Sequence, residues 1–512
     1  MDKPFCFYHQ YIAFLVILCA AVCQGRPHSQ PEPNYLKFVQ NATDFPSEDY
    51  YDSIVVGGGT AGCPLAASLS ESYRVLLLER GGVAHGKPNL MTQEGFLTTL
   101  TEVDTFDSLA QAVKSEDGVP NARGRILGGS SAINAGFYSR AHPYFFRKSG
   151  VNWDLRLVNQ SYDWVEKAIV FRPDLRNWQS AVRDWFFEVG VNPYNGYSLD
   201  HLLGKKIGGS TFDVTGKRHI AADLLNYANA VLLASTSYCR SKTTPIGVDY
   251  RDQKGQYHHA MVHEKGETLP IILGIPVAYH LPHVGHYLYD SPRNGISFVP
   301  SIPLEQSLIQ VVGITELGAY LEAASNVIPF TSPSRSIFIR PASAPIYLTM
   351  ATFMEKIIGP LSTGSLRLAS TDIRVNPIIG DVLRSRSMED FMFREWFGAR
   401  SFRFVGPAMP IDQSDCVEMA DFCHGTVSTI WHYHGGCVVG EVFNSDYHVY
   451  GIGALRFVDG SVLSVSPGTN PQTTLMMMGR YVGLKMIRGR MRYNDPCFPF
   501  ELVGSVDLTL TC

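Results

Sequence analysis

The sequence predicts an α/β chain with two parts. One is a Rossmann-like dinucleotide-binding domain, to which two observations lead, and the length of 512 residues leaves room for the other. Ser53-Ile54-Val55-Val56 is a short apolar run that passes at once into Gly57-Gly58-Gly59-Thr60-Ala61-Gly62, and a second run, Val75-Leu76-Leu77-Leu78, ends in Glu79-Arg80. Hydrophobic residues at 45% against 18% charged also supply a large core and argue against global disorder.

The first run reads as a strand, the glycines as a turn and residues 63–70 as a helix. Each glycine has a separate task. Gly57 makes the tight turn, Gly59 lets backbone approach a pyrophosphate, and Gly62 lets the helix pack on the strand. A phosphate there meets unpaired N–H groups and the positive end of the helix dipole. Glu79 closes the second strand at the spacing of about 20 residues from which an acid accepts hydrogen bonds from ribose hydroxyls. The bland alternative is a strand–turn–helix that holds no ligand. The fingerprint does not by itself separate NAD from FAD.

The charge balance narrows the function. With 43 Lys+Arg against 47 Asp+Glu, the formal charge is −4, and no long basic run appears. That excludes a general nucleic-acid footprint and favours small, mostly uncharged partners. Lys3 precedes the apolar stretch 11–22, with small residues Ala20, Ala21 and Gly25 nearby. This is the pattern of a secretory signal over residues 1–25, and it is short of the roughly 20 apolar residues of a membrane span. A secreted protein, extracellular or vacuolar, is expected. The sequons at Asn41 and Asn159 fit a glycoprotein. Of ten cysteines, Cys6, Cys19 and Cys23 lie in the signal, so an odd number remains and at least one thiol stays unpaired; Cys63, at an apolar helix start, is the candidate.

Four further segments bear on the cofactor. The phrases RILGGSSAINAGFYSRA (from Arg125), STIWHYHGGC (from Ser428) and SPGTNPQ (from Ser466) stand with Leu455-Arg456-Phe457-Val458-Asp459-Gly460-Ser461. Together they resemble the glucose–methanol–choline (GMC) family of flavin oxidoreductases, and within it the plant branch of (R)-mandelonitrile lyases and HOTHEAD-like proteins. The similarity runs over residues 35–492. It implies FAD, held by Gly57, Gly59, Thr60, Ala61, Gly62, Glu79 and Arg80 at one end. Gly129, Ser130, Asn134, Ala135, Gly136 and Phe137 follow on the 128–136 loop, then Trp431, Asp459, Gly460, Pro471 and Gln472. Pro471 and Gln472 open a last helix whose positive end would favour negative charge on a reduced flavin.

The resemblance also implies a catalytic pair, His432 and Asn470. An alcohol gives up hydride readily only if its O–H proton leaves as the C–H bond breaks, and an imidazole takes that proton near neutral pH. Asn470 cannot act as a base, but its amide can orient the hydroxyl and steady the developing alkoxide. His434 shares a strand face with His432. Lacking a third ligand at suitable spacing, it reads as a structural histidine, so no metal is assigned. The Met476-Met477-Met478 run reads as a core helix face, with Gly479 and Gly483 allowing close packing.

The expected reaction is FAD-dependent oxidation of a small alcohol, with His432 as general base. The alternative is an (R)-mandelonitrile lyase that uses FAD structurally. Such lyases carry a second histidine on the later segment and a substrate-site cysteine; here Asn470 stands on that segment and no cysteine falls between Cys239 and Cys416. Three places look shortened against the family. A full adenine-side strand is missing around Val231–Ser235, the second family signature is absent beyond His263, and a strand and helix start are missing between Pro377 and Gly380. Deleting an inner strand would leave ladder groups unpaired at a cost above the usual folding margin. A non-catalytic product and a flavin-free secreted binding protein are therefore further alternatives. The third gap would also remove a cysteine partner for Cys423. The expected organisation is residues 1–25 as signal and 26–49 as leader, with 50–142, 205–282 and 427–492 forming the FAD domain. The resemblance implies that the Rossmann-like FAD domain is discontinuous in this way and that residues 144–203 and 285–422 form a substrate domain with an antiparallel sheet, with 493–512 as a tail.

Overall fold

The computed structural model describes residues 32–96, 108–229, 231–235, 238–241, 247–269, 281–316, 318–330, 346–357, 362–370, 375–380, 403–406, 421–423, 425–452 and 455–493. The expected signal and the tail beyond residue 493 lie outside them. No helix among the described residues is long and apolar enough to cross a membrane.

Strand β1 (Glu48–Val56), helix α1 (Gly62–Leu69) and strand β2 (Val75–Glu79) fold as the sequence predicts. All five residues of β2 are buried, as a parallel strand covered on both faces should be. The two strands lie inside a seven-stranded sheet whose other members come from far along the chain: β3 (Val231–Ser235), β4 (Gly247–Arg251) and β5 (Tyr257–Leu269). The order is Val39–Asn41, β3, β2, β1, β5, β4, then Tyr238–Ser241. The ladders are parallel as far as β5 and antiparallel beyond it.

Two of the expected deletions are corrected by this sheet. Val231–Ser235 does form a strand, in register with Val75–Glu79 along its whole length. Five residues suffice because the neighbouring strand is itself five residues long. On the other side, β5 slips register between Val262 and Glu267, and Glu267–Leu269 then pairs with Ser53–Val55. The residues after His263 thus re-form the inner ladder, and β1 is paired on both sides. At the third place Ile378–Ile379 pairs with Leu366–Arg367, so a minimal strand survives. The helix starts expected after the second and third places fall at residues 270–280 and 381 onward, outside the described residues. Cys63 and Cys437 carry free thiols, the former donating to the Gly58 carbonyl at 3.2 Å.

The second sheet has eight strands, centred on β6 (Pro292–Val299), β7 (Ala319–Phe330) and β8 (Ile346–Ile357), with β8 between the other two. Its ladders are antiparallel except the last, where Tyr194–Tyr197 joins Gly204–Ile207. Helix α3 (Asn177–Glu188) buries Trp178, Val182 and Phe186 against one face with Phe298, Leu321 and Phe353. The opposite face is turned towards the first domain. Helix α2 (Leu155–Ile169), expected with the substrate domain, instead buries Leu157, Tyr162 and Val165 in the first core with Met476–Met478 of the last helix.

That last helix, α4 (Pro471–Tyr493), fixes the site. It lies on α1 so closely that a Cβ on Gly479 would sit 2.3 Å from the Ala61 carbonyl oxygen and 2.8 Å from Pro64. Both contacts are with groups that cannot swing aside. Gly479→Ala is therefore expected to lower stability by about 1–3 kcal/mol through overpacking, read by chemical denaturation. An unchanged midpoint would show that the helices part freely.

Candidate active site

A cavity of about 960 Å³ lies between the two sheets and the start of α4. Gly57, Gly59, Thr60, Ala61 and Gly62 line it, as do Gly129, Ser130, Asn134, Ala135, Gly136 and Phe137. So do Trp431, His432, Asp459, Gly460, Asn470, Pro471 and Gln472. Eighteen of the twenty residues singled out in the sequence thus share one chamber.

Glu79 and Arg80 do not line it. One Glu79 oxygen accepts the Gly58 N–H at 2.8 Å and the other accepts Gly81 N–H at 2.7 Å, so the carboxylate braces the glycine turn from behind. Burial pushes its pKa up, opposed by those two amides. Arg80 turns away to Gln111 Oε1, at 2.6 Å. A ribose would have to share the Glu79 oxygens with the turn.

The glycine turn and the 128–136 loop meet back to back. The Gly128 N–H donates to the Gly58 carbonyl at 2.7 Å, and a Cβ on Gly129 would lie 2.8 Å from the Gly59 Cα. A Cβ on Gly62 would fall 2.0 Å from the Gly57 carbonyl oxygen, while one on Gly59 would meet nothing within 4 Å. Gly59 therefore faces the chamber, and a side chain there would fill ligand space. The loop is fastened to α4 by side chains. Asn134 donates to Gln472 Oε1 at 2.6 Å and accepts the Gly136 N–H at 2.9 Å, and Gln472 donates to the Phe137 carbonyl at 2.7 Å. Arg218, fully buried, clamps the same loop through the Asn134 carbonyl at 2.6 Å. Asp459 accepts from the Ser461 N–H at 2.8 Å and holds the 459–462 turn. Open glycine backbone, two helix starts and a chamber of this volume fit a dinucleotide with a ring system.

His432 reaches the chamber on a strained segment. Trp431 has φ of +61°, a left-handed conformation costly for a bulky residue. The buried Asp290 holds that geometry: it accepts from the Thr429 hydroxyl, from His432 N–H at 3.1 Å and from Ser291 N–H at 2.9 Å. Burial raises the Asp290 pKa to about 7 against those donors. The His432 ring has no hydrogen-bond partner among the described residues. Burial first, then the positive charge of Lys356 and Arg293, hold its pKa well below 6.5, so the imidazole is neutral at physiological pH. His434 bonds back to the His432 carbonyl at 3.1 Å and stacks on Tyr289, with burial lowering it to about 4. It is structural.

The second sheet contributes residues that the sequence reading did not single out. Arg293, Glu322 and Lys356 lie on β6, β7 and β8, and the first two line the chamber. Lys356 Nζ is 2.9 Å from Glu322 Oε1 and 3.4 Å from Asn470 Oδ1, with Lys356 and Glu322 both almost fully buried. The available signal was a charge embedded in each apolar strand, since such residues are rarely buried without a purpose. A lysine only donates, so it fixes the Asn470 oxygen towards itself and leaves the amide N–H groups for the chamber.

Residues 360–479 match the GMC oxidoreductase family in its C-terminal part. Over 542 aligned positions the chain is 57% identical to an (R)-mandelonitrile lyase-like protein of Arabidopsis thaliana, covering 94% of this chain and 98% of that one. That alignment is longer than this chain's 512 residues, so the relative has residues with no counterpart here. A sinapyl alcohol oxidase of Nesocodon mauritianus is 41% identical over 90% of this chain and 93% of its own. Among solved structures, a formate oxidase of Aspergillus oryzae RIB40 studied for its FAD modification superposes with a TM-score of 0.70 at 16% identity, covering 86% of this chain and 98% of that one.

Asp290→Asn keeps the volume but turns one acceptor into a donor facing the Thr429 hydroxyl. A loss of about 1–3 kcal/mol in denaturant unfolding is expected, the cost of a buried group left mismatched. Wild-type stability would mean that Asp290 does not brace the strained segment.

Proposed function

Because the chain belongs to the GMC oxidoreductase family, we propose that it oxidises the CH–OH group of a small alcohol, with His432 as the proton acceptor. The family's cofactor is FAD, which when bound supplies the two-electron acceptor. Gly57, Gly59, Thr60, Ala61 and Gly62 would hold it, with the 129–137 loop, Trp431, Asp459, Gly460 and the start of α4. The observation that carries this reading is a buried imidazole kept neutral beside an asparagine amide, in a chamber walled by two glycine loops.

The substrate O–H is bound between His432 and Asn470. His432 accepts the proton, a contribution of roughly 10²–10⁴ in rate. Asn470 donates to the oxygen as negative charge develops on it. Lys356 keeps the amide turned the right way round. The chamber walls exclude water, which strengthens each of these contacts. The sequons at Asn41 and Asn159, whose asparagines are exposed, and the apolar stretch near the N-terminus support a secreted glycoprotein.

A second reading is cyanohydrin cleavage. The likeness to an (R)-mandelonitrile lyase-like protein favours it, and a neutral His432 could deprotonate a cyanohydrin hydroxyl. Against it stand Asn470 on the later segment and the lack of a cysteine among the described residues that line the chamber. Pairing of β1 on both sides supports a catalytic reading over the non-catalytic alternative.

An anaerobic alcohol should bleach the flavin absorbance of the purified protein. Benzaldehyde released from mandelonitrile without bleaching would favour the lyase instead. His432→Ala should lower turnover by about 10² or more with flavin retained; unchanged turnover would remove His432 from the mechanism. In a pH profile of kcat/KM, the acid limb should lie below the usual imidazole range, because burial depresses the His432 pKa. Lys356→Met removes a nearby positive charge, so that limb should move to higher pH. A downward move would contradict the electrostatics.

A further inference from the structure

Building on the alcohol-oxidation reading, we infer that Glu322 is a specificity residue: its second carboxylate oxygen accepts a hydrogen bond from a neutral hydroxyl that the substrate carries in addition to the one that reacts. Glu322 is 1% exposed and lines the chamber. Its Oε1 is taken by Lys356 at 2.9 Å, whereas Oε2 is buried with no hydrogen-bond partner among the described residues. A buried carboxylate oxygen left empty is costly, and native structures rarely keep one without a use.

No neighbour donates to Oε2. Across the ladder stands Met354, and the next inward position on the same strand is Ala324, opposite Thr352. Arg293, whose charge acts on Glu322, turns its guanidinium to Met354 Sδ at 3.5 Å and to Ser428 Oγ at 3.3 Å. The nearby Tyr320 hydroxyl lies 3.4 Å from Thr469 Oγ1 and is engaged there. A ligand hydroxyl in the chamber can supply the donor that these groups do not. Its charge is set by the neighbours. Lys356 already neutralises Glu322, so an ammonium on the ligand would bring an uncompensated cation into a dry site, whereas a hydroxyl brings none. Lys356 Nζ bonds both Glu322 Oε1 and Asn470 Oδ1, so one small molecule can touch the reacting pair and Oε2 together.

The test is calorimetric binding of phenol and anisole to the purified flavin-loaded protein, because these rings differ in the O–H donor. Phenol should bind at least about tenfold tighter, since a site built to accept a hydroxyl rejects an analogue without it. In E322Q the glutamine oxygen faces Lys356 and its N–H₂ faces the chamber, so the preference should vanish or reverse. A preference carried by His432 would survive in E322Q, and that result, or equal binding in the wild type, overturns the assignment. If E322Q does not fold, E322M/K356M removes both charges and the acceptor together, and the preference should vanish there. Bleaching by benzyl alcohol and 4-hydroxybenzyl alcohol separates the two claims. If neither bleaches the flavin while the phenol preference depends on Glu322, the oxidation reading fails and the Glu322 assignment stands. Bleaching without a Glu322-dependent preference has the opposite meaning.

Discussion

Two glycine loops touching through their backbones are the contact on which the chamber depends. Gly128 N–H reaches the Gly58 carbonyl, and the Gly129 and Gly59 backbones come closer than any side chain would allow. This close approach sets the 128–136 loop at a fixed height above the first turn. Asn134 and Gln472 then carry the same placement to the start of α4, and Gly479 lets α4 lie flat on α1. Segments near residues 58, 130 and 472 are locked by a few short bonds and by the absence of Cβ atoms. Open backbone N–H groups and two helix starts are left facing the chamber, an arrangement suited to phosphate.

Opposite that backbone wall, the second sheet sets a wall of side chains. Alternation along β6, β7 and β8 sends every second residue into the chamber and the rest into the core under α3. On this apolar face sit three charges, two positive and one negative. Lys356 and Glu322 form an ion pair, and burial, aided by the positive charge of Lys356 and Arg293, keeps the His432 imidazole unprotonated. The same ammonium orients Asn470. One buried ion pair thus influences the protonation of the base, the direction of the amide and the free acceptor offered to a ligand. Buried pairs seldom stabilise a fold by themselves, so a role in the chemistry is the better account of its retention.

The shortened stretches of the chain are absorbed by strand pairing. A parallel ladder needs backbone partners and tolerates changes in side chain, so β5 can slip register after Val262 and still close on Ser53–Val55. A comparison of signatures alone misses this, because a signature records side chains and the ladder is made by main-chain groups. Likewise Val231–Ser235 looks too short in isolation and is complete beside a five-residue neighbour.

The sequence by itself determined the strand–turn–helix at residues 53–79, the loop at 128–136, the last helix and the membership of His432 and Asn470 in one site. These are local signals, written in glycine spacing and in motifs that span a few residues. Only the tertiary structure decided that Glu79 braces the turn, that α2 belongs to the first core, and that Arg293, Glu322 and Lys356 converge on His432 and Asn470. Those facts depend on which distant strands lie side by side. A charge within an apolar strand is visible in one dimension, but its partner is chosen by sheet order, and sheet order is settled by the packing of the whole chain.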